Sequence, residues 1–227
     1  MKIAGLQKLT LLDYPGKTAC TVFFGGCNFR CPFCHNWELL DGSYPMQMDE
    51  EQLMDFLKKR AGILDGVCIT GGEPLLSDDI FALLEKIRSL GYAIKIDTNG
   101  SFPERLKRII DEGLADYVAM DIKNSPEKYA ETSGGFSNME KIRQSIALLM
   151  NSGVDYEFRT TVVDELHKAE DFHGIGKLIS GAGKWYLQKF RDRDTVPFEG
   201  FHAPEADKVR IHADIMRAYV KTVEIRG

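Results

Sequence analysis

Residues 27–36 read CNFRCPFCHN and carry three of the chain's five cysteines, Cys27, Cys31 and Cys34, spaced C-x3-C-x2-C. Thiolates this close can wrap one metal centre. A disulfide framework wants an even count, and a structural zinc ion usually takes four ligands. His35 adjoins Cys34, and adjacent residues rarely reach one small ion. A zinc site would therefore need a distant histidine: His167, His173, His202 or His212. A four-iron cube is larger and is usually held by cysteines alone. Held by three, it keeps one iron open for a substrate or cofactor. The spacing differs from the common ferredoxin runs and no fourth cysteine sits at a suitable position, which argues against simple electron transfer. Cys20, in ACTVFF, and Cys68, in GVCIT, lie in apolar strand-like runs and are expected in the core.

The chain of 227 residues is 44% hydrophobic and 28% charged, the composition of an ordinary globular protein. Its length suits one well-buried domain, taken as residues 1–227. A net charge of -5 gives no reason to expect nucleic-acid binding. No apolar run approaches the roughly 18 residues that span a bilayer. The N-terminal MKIAGLQKLTLLDYPGK has only short apolar clusters and carries Asp13, so it does not read as a secretory signal. A cytoplasmic location without a membrane partner is expected, where clustered cysteines are ligands rather than disulfides.

Several elements must position these cysteines. Strand-like runs at Cys20–Phe24, Gly66–Thr70, Ala93–Asp97, Tyr117–Asp121, Tyr156–Val163 and Lys184–Gln188 alternate with amphipathic helical patterns. Asp49 and Gln52 predict a capped helix to about Arg60. Ile80, Leu83, Leu84, Ile87 and Leu90 share one helix face that Gly91 ends, and Pro103 opens the next helix. Helices follow near Met139–Met150, near Lys168–Ile179, and from about Pro204 to Val220. Six β–α units imply a parallel sheet, and are too few for a full barrel of about 250 residues. An incomplete (β/α)6 barrel or an open doubly wound sheet is expected, with its chemistry at the C-terminal strand ends.

Polar signatures do follow the strands: the cysteine loop, TGGEP, DTNG, MDIKNS, EFRTTVV and QKFRDRD. C-x3-C-x-F-C, with Phe33 before the last cysteine, resembles the signature of the radical S-adenosylmethionine (SAM) superfamily. The resemblance implies a [4Fe-4S] cluster on Cys27, Cys31 and Cys34 whose open iron chelates SAM. Reductive cleavage would then give a 5′-deoxyadenosyl radical that abstracts hydrogen, chemistry only a cofactor can supply. Gly71-Gly72-Glu73-Pro74 resembles the motif that receives the SAM ammonium through backbone oxygens and Glu73. In DTNG and MDIK, the resemblance implies a monovalent-cation site from Asp97, Thr98, Asp121 and the Met120 carbonyl, with Asn99 beside the cofactor. Lys123 and Arg159 are expected on the SAM carboxylate. His35 is expected to shape the adenine-facing loop, and Trp37 to shield the cluster.

DYPG before a strand, then GCNFRCPFCHN, resembles the activating proteins of anaerobic ribonucleoside-triphosphate reductase and is similar to pyruvate formate-lyase activating enzymes. That family implies a glycyl-radical enzyme as partner and a flavodoxin- or ferredoxin-type electron donor. The resemblance thins after Gln188, where QKFRDRD departs from the formate-lyase activases. A radical SAM enzyme on a small molecule, such as 7-carboxy-7-deazaguanine synthase, is the alternative. A non-enzymatic cysteine-metal module that binds a protein is a third reading.

Overall fold

The computed structural model describes residues 3–40 and 46–226. One eight-stranded sheet runs in strict chain order, β1 to β8. β1 (Ile3–Thr10) is antiparallel to β2 (Ala19–Phe24). From β2 the sheet is parallel through β3 (Gly66–Gly71), β4 (Ala93–Thr98), β5 (Tyr117–Asp121), β6 (Asp155–Val162), β7 (Lys184–Lys189) and β8 (Thr222–Arg226). The order never reverses, so the doubly wound alternative is excluded. β1 and β8 do not pair with each other, and the barrel stays open between them.

The helices are α1 (Glu50–Lys59), α2 (Ile80–Ser89), α3 (Pro103–Asp111), α4 (Tyr129–Ser133), α5 (Met139–Ser152), α6 (Ala169–Leu178) and α7 (Ala206–Met216). The caps read from sequence form. Asp49 and Gln52 close a reciprocal box on α1, and Pro103 occupies the first turn of α3. Val22, Ile69, Ile94, Ile96, Val118, Phe158 and Leu187 point one way and pack with Leu53, Leu84, Leu106, Ile142 and Phe172 of the helices, all fully buried. Each such side chain contributes about 1.5–3 kcal/mol. Cys20 and Cys68 are fully buried, as expected.

Alternation sends Thr70, Lys95, Asp97, Glu157 and Arg159 to the opposite, inner face. A closed barrel fills that space with apolar layers. Here it is polar: Glu157 holds Arg226 of β8 through two contacts at 2.7 and 3.0 Å and accepts from Tyr117 Oη. The six expected units were thus an undercount. β1 and β8 extend the sheet at its two edges, and α4 follows β5.

Candidate active site

The C-terminal ends of β2 to β7 surround one cavity of about 210 Å³. Cys27, Cys31 and Cys34 line it together with Phe33 and His35. Burial pushes the Cys27 thiol up to about 12 and Cys31 to about 11, and raises Cys34 as well. They stay protonated until a cationic centre takes the place of the protons. Among the described residues, no three His, Cys, Asp or Glu side chains are gathered to hold a single metal ion. Three thiols around one cavity, too spread for one ion, suit an object of cluster size held by cysteines alone.

The cysteine loop is braced by amides and backbone. Asn28 Nδ2 donates to Ser101 Oγ at 2.8 Å, and Asn99 Nδ2 donates to Asn28 Oδ1 at 2.9 Å. Asn99 also lines the cavity. The Arg30 N–H donates to the Ser133 carbonyl at the end of α4, and Arg30 Nη1 donates to the Phe29 carbonyl at 2.9 Å. Phe29 packs on Phe136 with ring centroids 4.6 Å apart.

Gly71 and Gly72 line the cavity and fit tightly against β2. Gly71 has φ +115°, and a Cβ there would stand 2.3 Å from the Phe24 nitrogen. A Cβ on Gly72 would stand 2.0 Å from the Gly26 carbonyl oxygen. These glycines let two strand ends meet, a packing need beside any need of a ligand. The Gly71 carbonyl already accepts from Asn36 Nδ2 at 2.8 Å.

Glu73 and Pro74 do not line the cavity, contrary to their expected contact with a ligand. Glu73 is 1% exposed. Its carboxylate accepts from Thr98 Oγ1 at 2.9 Å, the Asn99 N–H at 2.6 Å and the Leu75 N–H at 3.0 Å. Burial pushes this carboxyl up to about 7 against the pull of those donors. Glu73 therefore ties the end of β3 to the end of β4, and Pro74 begins the short buried turn that it caps.

The opposite wall is a chain of charges. Lys95 pairs with Asp97, and Arg159 bridges Asp97, at 3.0 Å, and Asp121. Lys123 closes the chain on Asp121 at 2.7 Å. Burial opposes the Asp121 charge, but Arg159 and then Lys123 outweigh it and hold the carboxyl well below its usual range. Three cations against two carboxylates leave one excess positive charge. The electrostatic partners of Lys123 include Cys31 and Cys34.

This arrangement corrects two expectations. Asp97 and Asp121 line the cavity, but their oxygens are engaged by the chain's own cations, Thr98 Oγ1 donates to Glu73, and Met120 is buried inside the β4–β5–β6 ladder. They form no oxygen-only cradle for a monovalent cation. Lys123 and Arg159 line the cavity too, already paired with these carboxylates rather than left free for a ligand.

The QKFRDRD stretch takes part after all. Gln188 lines the cavity with Thr161. His35 stacks on Phe190 at 5.3 Å, and its Nε2–H donates to the Arg191 carbonyl at 2.6 Å. Trp37 meets Phe198 edge-on at 5.3 Å. Of the histidines weighed as distant ligands, His167 is buried, accepts from the Val163 N–H at Nδ1 and donates from Nε2 to the Lys123 carbonyl at 2.8 Å. It fixes the backbone beside Lys123, a role that only the fold reveals. His212 stacks on Phe172, and His173 and His202 are exposed.

Comparison with known proteins agrees with this geometry. Residues 21–175 match the family model of the radical SAM superfamily. The chain is 32% identical to the "putative glycyl-radical enzyme activating enzyme MJ1227" of Methanocaldococcus jannaschii, over 99% of this chain and 95% of that one. It is 36% identical to the 7-carboxy-7-deazaguanine synthase of Hyperthermus butylicus, over 77% of this chain and 69% of that one. Among solved structures, a radical SAM methyltransferase from Sphaerobacter thermophilus superposes with TM-score 0.68 at 17% identity, covering 96% of this chain and 69% of that chain. Streptococcus suis SuiB bound to S-adenosylmethionine superposes with TM-score 0.67 at 14% identity, covering 91% of this chain and 52% of that chain. A partial barrel with three thiols at its mouth, matched by the family model across most of its strands, belongs to the radical SAM superfamily, which works with a [4Fe-4S] cluster and SAM.

Proposed function

We propose that this chain is a glycyl-radical enzyme activase. It would reductively cleave SAM and remove a hydrogen atom from a glycine of a partner enzyme, anaerobic ribonucleoside-triphosphate reductase being the favoured partner. The carrying observation is full-length similarity to a relative named for that activity, over 99% of this chain and 95% of the relative. The open edge between β1 and β8 adds support, because a protein loop needs a lateral entrance.

Cys27, Cys31 and Cys34 would hold the cluster. Bound together, cluster and SAM supply a radical able to take hydrogen from an unactivated C–H bond. The remaining groups are the chain's own. Phe33 and His35 would border the adenine side. Gly71, Gly72, Asn99 and Asp121 would line the cofactor. The excess positive charge at Lys123 and Arg159 would face its carboxylate and the anionic cluster. Glu73 and Thr98 would act one layer behind, holding the ends of β3 and β4 in place. An electron would come from a flavodoxin- or ferredoxin-type donor. Residues 1–227 would form a single domain, with the cluster loop at 25–36 and the C-terminal helix at about 204–220.

The second reading, a small-molecule enzyme of the 7-carboxy-7-deazaguanine synthase type, is favoured by the 36% identity to one such relative. That match covers 77% of this chain rather than nearly all of it. Among the described residues, no helix is long and apolar enough to cross a membrane. The deciding experiment mixes the reduced protein anaerobically with SAM and the partner reductase and records the EPR spectrum. The expected result is a glycyl-radical doublet. Its absence, together with turnover of a small-molecule substrate, would favour the second reading.

A further inference from the structure

Behind the cysteine loop stands α4, a helix of one and a half turns. It clasps that loop directly. The Ser133 carbonyl accepts the Arg30 N–H at 2.9 Å, and Gly134, at φ +73°, lets the Arg30 carbonyl approach where a Cβ would stand 2.1 Å from its oxygen. Tyr129 opens the helix and is 0% exposed. Its phenolic oxygen has no hydrogen-bond partner. Burial pushes the phenol's pKa far up, and the groups that act on it include Lys123, Asp121 and Cys31. The Lys123 backbone N–H is the donor that bears on this oxygen, and it can fill only an acceptor site. The phenol's own proton therefore has no acceptor within the chain. Both nearby carboxylates are occupied by Arg159, Lys123 and Lys95.

A fully buried, unpaired hydroxyl is costly, and native structures keep few of them. Tyr129 is held against a loop whose three thiols await a sulfur-rich group. We propose that Tyr129 is a positioning residue that donates its O–H to a sulfur of the bound [4Fe-4S] cluster and thereby raises the cluster's reduction potential. This rests on the assignment of the cluster to Cys27, Cys31 and Cys34. Hydrogen bonds to cluster sulfurs favour the more negative, reduced state. The hydroxyl would then be satisfied in the loaded protein and only there.

The test is Tyr129→Phe, which removes the hydroxyl and leaves the ring. In the SAM-free, cluster-loaded protein, EPR-monitored redox titration is expected to show a midpoint lowered by up to 59 mV, a tenfold change in the one-electron reduction equilibrium. In the metal-free protein the same change is expected to raise the melting temperature, because it deletes an unpaired buried group. Exchangeable-proton couplings on the reduced cluster, read by ENDOR in H2O and D2O, should include one that the variant lacks. An unchanged midpoint at equal iron content overturns the proposal. So does a lower melting temperature for the metal-free variant, since the hydroxyl would then have a partner in the chain. If the parent protein binds no iron, or keeps its iron after Cys31→Ser, the cluster assignment fails first and the role of Tyr129 with it.

Discussion

The wall that carries the cysteines and the wall formed by the ends of β4, β5 and β6 enclose the same cavity, but different forces hold them. The cysteine wall is tied by amides, backbone and one buried carboxylate: Asn28 to Ser101, Asn99 to Asn28, Arg30 to Ser133, and Glu73 to three donors. The facing wall is an alternating row of charges from Lys95 to Lys123. Short neutral ties fix positions to a fraction of an ångström and cost little to bury once paired. Charges are costly to bury and gain their worth from the field they create. The first wall therefore sets the shape of the site, and the second its net charge.

The largest stability effect should come from breaking the charged wall. Arg159→Met leaves Asp97 without one partner and Asp121 without another, inside a mostly buried network. Urea unfolding of the metal-free protein is expected to show a loss of about 3–5 kcal/mol. A loss below about 1 kcal/mol would mean that the two carboxylates are well served by Lys95, Lys123 and solvent.

Breaking the other wall should cost less. Glu73→Ala strands the Thr98 hydroxyl and two backbone N–H groups. The expected loss is about 2–3 kcal/mol, since part of the gap will admit water. Glu73→Gln, which keeps an acceptor, should recover about half. If Glu73→Gln instead matches Glu73→Ala, the charge of Glu73 matters more than its shape, and the contrast between the walls weakens.

The smallest effect lies outside both walls and serves as a control. His212 is buried on Phe172, with its Nδ1 unpaired. Burial, then the neighbouring His167, pushes its pKa from 6.5 down to about 4. A histidine depressed on folding contributes stability above its unfolded value and loses it as pH falls. Acidification from about pH 6.5 to about pH 4 should remove roughly 2 kcal/mol through this group, after allowance for solvent screening. His212→Phe should flatten the stability profile in that window and leave the cavity's chemistry unchanged. A profile as steep as the parent's would assign the acid sensitivity elsewhere.

Local pattern made the middle of this molecule legible. β2 to β7 carry apolar runs bounded by turn residues, and their helices show one-sided periodicity, so both were readable within a few residues. β1, IAGLQKLT, has three consecutive exposed residues and no alternation. β8, TVEIR, is a short, largely exposed edge. α4 has five residues, too few to show a helical period. The cysteines announced themselves by type and spacing. Their supports did not: Asn28–Ser101 joins residues 73 apart and His167–Lys123 residues 44 apart. Glu73, Lys123 and Arg159 were found as residues, but their partners were not, because a carboxylate or guanidinium in a sequence does not say which opposite charge the fold will place beside it.

The most direct test of the site is anaerobic iron reconstitution followed by reduction in the presence of SAM, on the parent and on Cys31→Ser. The parent should turn brown, hold about four irons per chain and form 5′-deoxyadenosine, while Cys31→Ser should lose both the iron and the product. A colourless parent that binds one zinc ion and leaves SAM intact would contradict the cluster assignment and, with it, the roles given to both walls.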